Sequence, residues 1–351
     1  MAGQNQLLFL ANSFQQATGF MNTKSTFEKY TSATRWDLEF FRKAATFFEL
    51  NHELIHKLNI ASPAINLYLF MNIIMKLTLY FISLALVISG CSVNKTTGSA
   101  FQIIQMTDTQ FGFYSNDQSY QQETANYTRA IKAANKIKPD FVIVTGDLVN
   151  KPFDKAQIAE YKRISSMLEN IPVHHVPGNH DVGNEPDRIA ILKYRQEFGM
   201  DYYSIRHKTL YAIVLNSLYL HKPGNIQALA AAQEKWLEEE LSKAHAAGYQ
   251  HKIIFLHHPL FLTSAHEADG YFTIPTATRE KYLRLFSAFN ISHVFAGHYH
   301  QNAFGKYGNL EMVTSGPVGK PLGEGFSGYR VIRFSASGIT HEFIPLDPPA
   351  E

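Results

Sequence analysis

The sequence predicts an α/β sandwich of two packed sheets that begins near Phe101. From there, short runs rich in β-branched and aromatic residues alternate with amphipathic stretches, as strands alternate with helices. After Gly297 the helical pattern stops, and only strand-like runs and turns remain. This order of elements favours two sheets that pack face to face. The length of the chain from Cys91 to its end fits one domain.

Each predicted element follows from its own residues. Six short apolar runs are typical of strands buried on both faces: Phe101–Met106, Phe141–Thr145, Val173–Val176, Tyr211–Leu215, Lys252–Leu256 and His293–Ala296. Five longer stretches have the apolar spacing of helices: Glu123–Ile137, Lys155–Glu169, Arg188–Phe198, Ala228–Ala246 and Thr278–Phe289. Four closing strands are separated by turns: Asn302–Tyr307, Leu310–Thr314, Tyr329–Phe334 and Thr340–Ile344.

Composition excludes several classes of protein. Of the 351 residues, 45% are hydrophobic and 18% are charged, which excludes a disordered or collagen-like chain. The single cysteine, Cys91, cannot form an internal disulfide or a cysteine-rich zinc cluster, so any metal must be held by His, Asp, Glu, Asn or Gln. The net charge of +2 comes from residues 1–90, and acidic and basic residues balance from Cys91 onward. That balance argues against nucleic acid as a partner.

Residues 71–90 have the pattern of a signal peptide. Lys76 precedes an uncharged, mostly apolar run, 77–89, which is too short for a typical membrane span. The run ends in Ile88-Ser-Gly-Cys91, which resembles the lipobox of bacterial lipoproteins, in which the cysteine is lipidated and becomes the mature N-terminus. The polar residues 91–100 then form a tether. The alternatives are an ordinary signal anchor over 67–90, or a buried core helix with an incidental cysteine.

Lipidation at Cys91 predicts a protein of the bacterial cell envelope, anchored to a membrane on its periplasmic or extracellular side. Residues 1–70 would then precede a signal peptide, which should itself start the chain. They contain no motif that assigns a role, and Met71 or Met75 would make a natural start. This stretch is therefore interpreted either as an over-long gene prediction or as an N-terminal extension of unknown role.

Polar residues gather directly after the predicted strands. The five segments are Asp108-Thr-Gln110, Gly146-Asp147, Gly178-Asn-His-Asp181, His257-His-Pro259 and Gly297-His-Tyr-His300. Ligand-binding side chains converge at the carboxyl ends of strands in α/β sheets. A carboxylate such as Asp147 can bridge two divalent cations, while imidazoles and a second carboxylate complete each site. His298 and His300, two apart in an extended segment, would point to opposite sides, one toward each metal.

These segments resemble the motifs of the calcineurin-like metallophosphoesterases. Asp-x-Gln, Gly-Asp, Gly-Asn-His-Asp, His-x-Pro and Gly-His-x-His follow one another between Asp108 and His300. The resemblance implies a four-layer α/β/β/α sandwich of two mixed β-sheets flanked by helices, over residues 101–346, with a dinuclear metal centre. Other stretches, including Asp201-Tyr-Tyr-Ser204, look like the Ser/Thr-phosphatase-like branch named calcineurin-like phosphoesterase domain-containing protein 1.

The resemblance also implies ligands for two divalent metal ions. The ligands of the first ion would be Asp108, Gln110, Asp147 and His300. Asp147 would bridge to the second ion, which would also be held by Asn179, His257 and His298. His257 is favoured over His258 because the family's ligand stands two residues before the proline. Manganese, iron or zinc would suit such mixed nitrogen and oxygen ligands. Most of the superfamily has His where Gln110 stands, and the neutral amide oxygen should bind softer metals less tightly.

The function implied is hydrolysis of a phosphoric ester by water activated at the metals, without an organic cofactor. His180 would contact the phosphate and protonate the leaving oxygen, with Asp181 as its orienting partner. A phosphomonoesterase acting on phosphoproteins or small phosphoesters is the first hypothesis. A phosphodiesterase shares the same ligands, and the loops 184–188, 218–225 and 263–272, which contain Arg188, His221 and Tyr271, would decide between them. A non-catalytic, lipid-anchored binding module is the other alternative.

Overall fold

The structure, a computed structural model, describes residues 100–347. In this part of the chain the strands are β1 Phe101–Met106, β2 Val142–Thr145, β3 Val173–Val176, β4 Tyr203–His207, β5 Leu210–Val214, β6 His251–Phe255, β7 His293–Ala296, β8 Ala303–Tyr307, β9 Leu310–Thr314, β10 Gly328–Ser335 and β11 Gly338–Pro345. The helices are α1 Gln121–Ile137, α2 Lys155–Ser165, α3 Asn179–Val182, α4 Arg188–Phe198, α5 Leu218–His221, α6 Gln227–Ala246 and α7 Thr276–Ala288. Two short 3₁₀ helices cover Phe113–Ser115 and Gly224–Ile226.

The strands form two mixed sheets. The five-stranded sheet has the order β11-β10-β1-β2-β3, in which β1, β2 and β3 are parallel and β10 runs antiparallel to β1. The six-stranded sheet has the order β4-β5-β6-β7-β9-β8, with β5, β6, β7 and β9 parallel. The predicted sandwich of two mixed sheets flanked by helices is confirmed.

Alternating side chains explain why the central strands of both sheets are buried on both faces. Ile103 and Ile253 belong to a core that draws residues from both sheets, whereas their neighbours Ile104 and Ile254 pack in a second core with residues of the helices. All four side chains are fully buried. Burial of each such side chain stabilises the fold by about 1.5–3 kcal/mol, so uninterrupted apolar runs are needed in the central strands.

Two differences from the predicted elements have local causes. The strand β4 was not predicted, because it is an edge strand with only Ile205 buried and carries no apolar run. The predicted helix Lys155–Glu169 ends at Ser165. After it, hydrogen bonds from Met167 N to Ile164 O and from Leu168 N to Ser165 O span only three residues and form tighter turns. At the other end of α2, the Asp154 side chain caps two backbone N–H groups.

The loops after the parallel strands meet at one edge of the sandwich. The loop after β1 bonds to the loop after β2, from Asp108 N to Gly146 O (3.0 Å) and from Gln110 N to Asp147 O (2.8 Å). The buried Gln105 side chain in β1 donates to Ala296 O at the end of β7 (3.0 Å), which joins the two sheets. The fold therefore brings the five motif segments to one place.

The predicted signal peptide at 71–90, the extension before it and the tether up to residue 99 lie outside the described residues. Within residues 100–347, no helix has the length and apolar character needed to span a membrane.

Candidate metal centre

Two groups of buried side chains meet at this edge of the sandwich. One contains Asp108, Asp147 and His300, and the other contains Asp147, His257 and His298. Within each group the possible ligand atoms lie within 4.8 Å of one another. Asp147 belongs to both groups, which is the position of a carboxylate that bridges two cations. His298 and His300 lie in different groups.

Two histidine rings are oriented by backbone carbonyl groups. His257 Nδ1 lies 2.8 Å from Thr145 O, and His300 Nδ1 lies 2.6 Å from Lys320 O. A carbonyl only accepts, so each Nδ1 carries a proton, and in the neutral ring Nε2 is left as a lone-pair donor. His257 Nε2 is 3.2 Å from Asp147 Oδ2, and His300 Nε2 is 3.4 Å from Asp108 Oδ1. Both rings therefore present the nitrogen that a metal requires beside a carboxylate oxygen.

The two amide side chains are also held by partners. Gln110 Nε2 donates to Asn150 Oδ1 (3.2 Å), and Asn179 Nδ2 donates to Asn184 Oδ1 (3.0 Å). In each case the amide nitrogen is used, so the carbonyl oxygen is turned toward the centre. Sequence reasoning gave no role to Asn150 or Asn184. Their one signal is their position in the loops that carry the motifs.

Unpartnered buried atoms test whether these residues fit a metal. Eleven buried side-chain atoms of the described residues have no hydrogen-bond partner, and two of them are Gln110 Oε1 and His298 Nε2. A buried acceptor left unpaired costs about 1–3 kcal/mol, and a cation bound at these two atoms would remove that cost. Both atoms belong to predicted ligands, and the surrounding donors are carboxylate, amide and imidazole. The residues fit two divalent cations.

The backbone at the centre is strained. Five predicted ligands have positive φ: Asp108 (49°), Gln110 (39°), Asp147 (51°), His298 (68°) and His300 (58°). Non-glycine residues adopt this conformation rarely, and it concentrates at functional sites. The extended conformation expected for His298 and His300 is therefore wrong, although the two rings do lie in different groups.

Two glycines allow the loops to approach closely. A Cβ at Gly297 would lie 1.9 Å from Thr107 Oγ1, and a Cβ at Gly178 would lie 2.2 Å from Asp147 Oδ1. Real Cβ atoms cannot come so near, so any side chain there would displace a carboxylate of the centre.

Electrostatics favour negatively charged carboxylates here. Burial raises the pKa of Asp147, but the charges of His257 and His180 outweigh it and leave that pKa well below its usual range. Burial lowers the pKa of His257, yet Asp147 outweighs it and raises the pKa to about 9. Burial lowers the pKa of His298 to about 3. The buried carboxylates are therefore stabilised by nearby positive charge, and a bound metal cation would supply such a charge.

His180 lies beside the bridging carboxylate. Its backbone N–H donates to Asp147 Oδ1 (2.8 Å), and its ring Nδ1 lies 2.8 Å from Asn150 O. The predicted orienting role of Asp181 is wrong. Both Asp181 oxygens accept backbone N–H groups, from Leu148 (2.8 Å) and Val149 (3.3 Å) at Oδ1 and from Gly178 (2.8 Å) at Oδ2. Asp181 shapes the loops, and Asn150 orients the His180 ring.

His258 belongs to neither group. Its Nδ1 lies 2.8 Å from Ser217 Oγ, and its ring stacks on that of His221 at 4.6 Å. Tyr271, from another of the loops singled out in the sequence, places its ring 5.2 Å from that of His298. The exposed Arg188 begins α4 and belongs to neither group.

A third cluster, His293, Glu311 and His341, lies away from this centre. His341 Nδ1 accepts from Arg330 (3.0 Å), and its Nε2 is 3.1 Å from Glu311 Oε1. An arginine always donates, so the His341 proton is on Nε2, where it bonds the carboxylate. Both ring nitrogens are thus satisfied without a metal.

Comparisons with known proteins agree with this centre. The calcineurin-like phosphoesterase family matches residues 101–302. The mouse protein "Serine/threonine-protein phosphatase CPPED1" is 35% identical over 263 residues, which cover 70% of this chain and 84% of the mouse protein. This supports the Ser/Thr-phosphatase-like branch.

Two solved structures share the fold. The Plasmodium structure "GAP50 the anchor in the inner membrane complex of Plasmodium" has a TM-score of 0.56 at 14% identity and covers 72% of this chain and 86% of its own. A dimetal phosphatase from Danio rerio has a TM-score of 0.51 at 12% identity and covers 70% of this chain and 99% of its own. With the family match and the mouse relative, these findings establish that the chain belongs to the calcineurin-like phosphoesterase family and is a metal-dependent hydrolase of phosphoric esters.

Proposed function

We propose that this chain is a phosphomonoesterase that removes phosphate from phosphoserine or phosphothreonine in proteins. The observation that carries the metal-dependent hydrolysis in this proposal is that Asp147 belongs to both ligand groups while the backbone N–H of His180 bonds to it. The mouse relative, named a serine/threonine-protein phosphatase and covered over 84% of its length, supports the choice of substrate.

In this proposal two divalent cations are held by the seven predicted ligands, which are Asp108, Gln110, Asp147, Asn179, His257, His298 and His300. Bound there, the cations supply Lewis acidity, which neutralises phosphoryl oxygens and acidifies a nearby water. The carboxylates of the chain determine where the cations would bind. Thr145 O and Lys320 O bond to Nδ1 of His257 and His300, which leaves Nε2 of each ring to face a metal.

His180 is the proton donor of the proposed reaction. Because Asn150 O fixes the Nδ1 side, Nε2 is the ring nitrogen available to a substrate. A protonated imidazole donates from Nε2 to the departing alkoxide, which cannot leave as a strong base. The ring of Phe113, 6.4 Å from that of His180 and 5.4 Å from that of His300, forms an apolar wall beside both.

Substrate choice tests the monoester proposal. The metal-loaded chain is expected to hydrolyse a phosphoserine peptide and an aryl phosphate with a kcat/KM at least tenfold above that for a bis-aryl phosphate diester. Parallel assays with manganese, iron and zinc measure this ratio. Faster hydrolysis of the diester would favour the phosphodiesterase alternative.

We also propose that a lipid on Cys91 attaches the protein to a membrane of the bacterial cell envelope. The support is Ile88-Ser-Gly-Cys91 at the end of a short apolar run that follows Lys76. The balanced charge of the chain from Cys91 onward offers little attraction to an anionic membrane, so the lipid would supply the binding.

In a bacterial host, Cys91→Ser is expected to abolish labelling by a fatty-acid analogue and to move the protein from the membrane to the soluble fraction. Labelling followed by fractionation measures both. Equal labelling of the wild type and the variant would contradict the lipid anchor.

A further inference from the structure

A groove of about 590 Å³ opens beside the metal centre, and neither of the two ligand groups extends into it. Its lining includes the aromatic residues Phe272, Tyr299 and Phe304. The Phe272 ring lies 5.7 Å from that of the predicted ligand His298, and Tyr299 stands between the two predicted ligands of its loop. Part of the groove's lining is therefore adjacent to the predicted ligands.

Another part of the lining, Ala303 and Phe304, lies on β8, the last strand of the six-stranded sheet. Phe304 in this strand is 48% exposed, although it is a large aromatic side chain. Exposed aromatic side chains that line a groove mark binding surfaces.

The charge of the groove limits what it can bind. None of the residues that line it is Lys or Arg. Its one acidic residue, Glu267, accepts the backbone N–H groups of Leu262 (2.8 Å), Thr263 (3.1 Å) and Ser264 (3.1 Å). A second phosphate, such as that of a nucleotide, would find no cation here. A neutral segment with apolar side chains fits both the charge and the aromatic lining.

The wall of the groove is preformed. The buried guanidinium of Arg330 lies 5.1 Å from the ring of Phe304 and 5.8 Å from that of Phe343, and it donates to Asn302 Oδ1. Gly316 N also donates to this oxygen (3.3 Å). A wall fixed before binding reduces the entropy lost when a ligand is ordered against it.

We propose that this groove binds the neutral peptide segment that flanks the phosphorylated residue of a protein substrate. The inference rests on the proposed function, since it assigns the peptide next to the scissile ester to a surface next to the metal centre. A small aryl phosphate reaches the centre without filling the groove. The groove thus gives a phosphopeptide its advantage over a small phosphoester.

Two variants test this surface. Phe304→Ala removes the aromatic wall, and Ala268→Trp places a bulky side chain on an exposed lining residue. Met200→Trp is the matched control, because Met200 is 53% exposed and lies outside the groove. Each metal-loaded protein is assayed on a phosphoserine peptide with neutral flanks and on 4-nitrophenyl phosphate.

For both groove variants the ratio of kcat/KM on the peptide to kcat/KM on the aryl phosphate is expected to fall about tenfold, the effect of losing one apolar anchor. The control should keep the wild-type ratio. If Phe304→Ala and Ala268→Trp both kept the wild-type ratio of peptide to aryl phosphate hydrolysis, and still hydrolysed the aryl phosphate, the groove proposal would be overturned. The proposed function would then still stand. A wild-type enzyme that hydrolyses neither substrate would overturn both.

Discussion

Asp147→Ala is expected to lose both metal ions and to lower kcat by far more than the roughly 10–100-fold that loss of an outer-shell partner costs. Asp147 is shared by the two ligand groups, and its oxygens face His180 N (2.8 Å) and His257 Nε2 (3.2 Å). Without its negative charge, two cations about 3.5–4 Å apart would repel each other across a buried gap. Metal analysis after dialysis, together with kcat on an aryl phosphate, measures both losses.

Gln110→Ala is the matched comparison. Gln110 contributes one neutral oxygen, and its amide nitrogen donates a hydrogen bond to Asn150 Oδ1. We expect this variant to retain more metal than Asp147→Ala and to lose affinity mainly at one site. If Gln110→Ala lost more metal than Asp147→Ala, Asp147 would not be the bridging ligand.

His180→Ala is expected to keep both metals and to lower kcat by about 10²–10⁴-fold, the usual cost of losing a positioned proton donor. The loss should depend on the leaving group. An alkyl phosphate needs a proton to depart and should be affected most, whereas nitrophenolate leaves well without help. Metal content and kcat on an alkyl and an aryl phosphate give the comparison.

His257→Ala is the control for His180→Ala, because His257 faces Asp147 and Asn179 with its Nε2. It should lose metal and slow both substrates together. If His180→Ala instead lost metal, or slowed both substrates equally, His180 would be a ligand or a ground-state phosphate contact.

The central strands were predictable because burial on both faces leaves an apolar run that can be recognised without a partner. The runs that became β1 and β2 are of this kind, and their bounds agree with the structure within a residue. Val173–Val176 was also predicted as a buried strand, but the structure places it as β3 at the edge of its sheet with only Val176 buried. The strand β4 could not be predicted in this way. It lies at an edge, has only Ile205 buried, and is held by its pairing with β5.

The candidate ligands were predictable as residue types after strands, but their partners were not. Asp181 is adjacent to His180 in sequence, yet its carboxylate turns away to three backbone N–H groups. The group that holds the His180 ring is a backbone carbonyl, that of Asn150, 30 residues distant, and carbonyls leave no pattern in a sequence. The positive φ values at residues such as Asp147 and His300 are also set by the meeting of loops, not by local preference.

The most direct test of the dinuclear centre is to titrate the metal-free chain with manganese while following hydrolysis of the phosphoserine peptide. Two groups of ligands joined by one carboxylate predict two bound ions per chain, with activity rising only as the second site fills. Full activity at one ion per chain, or activity in the metal-free protein, would contradict the account.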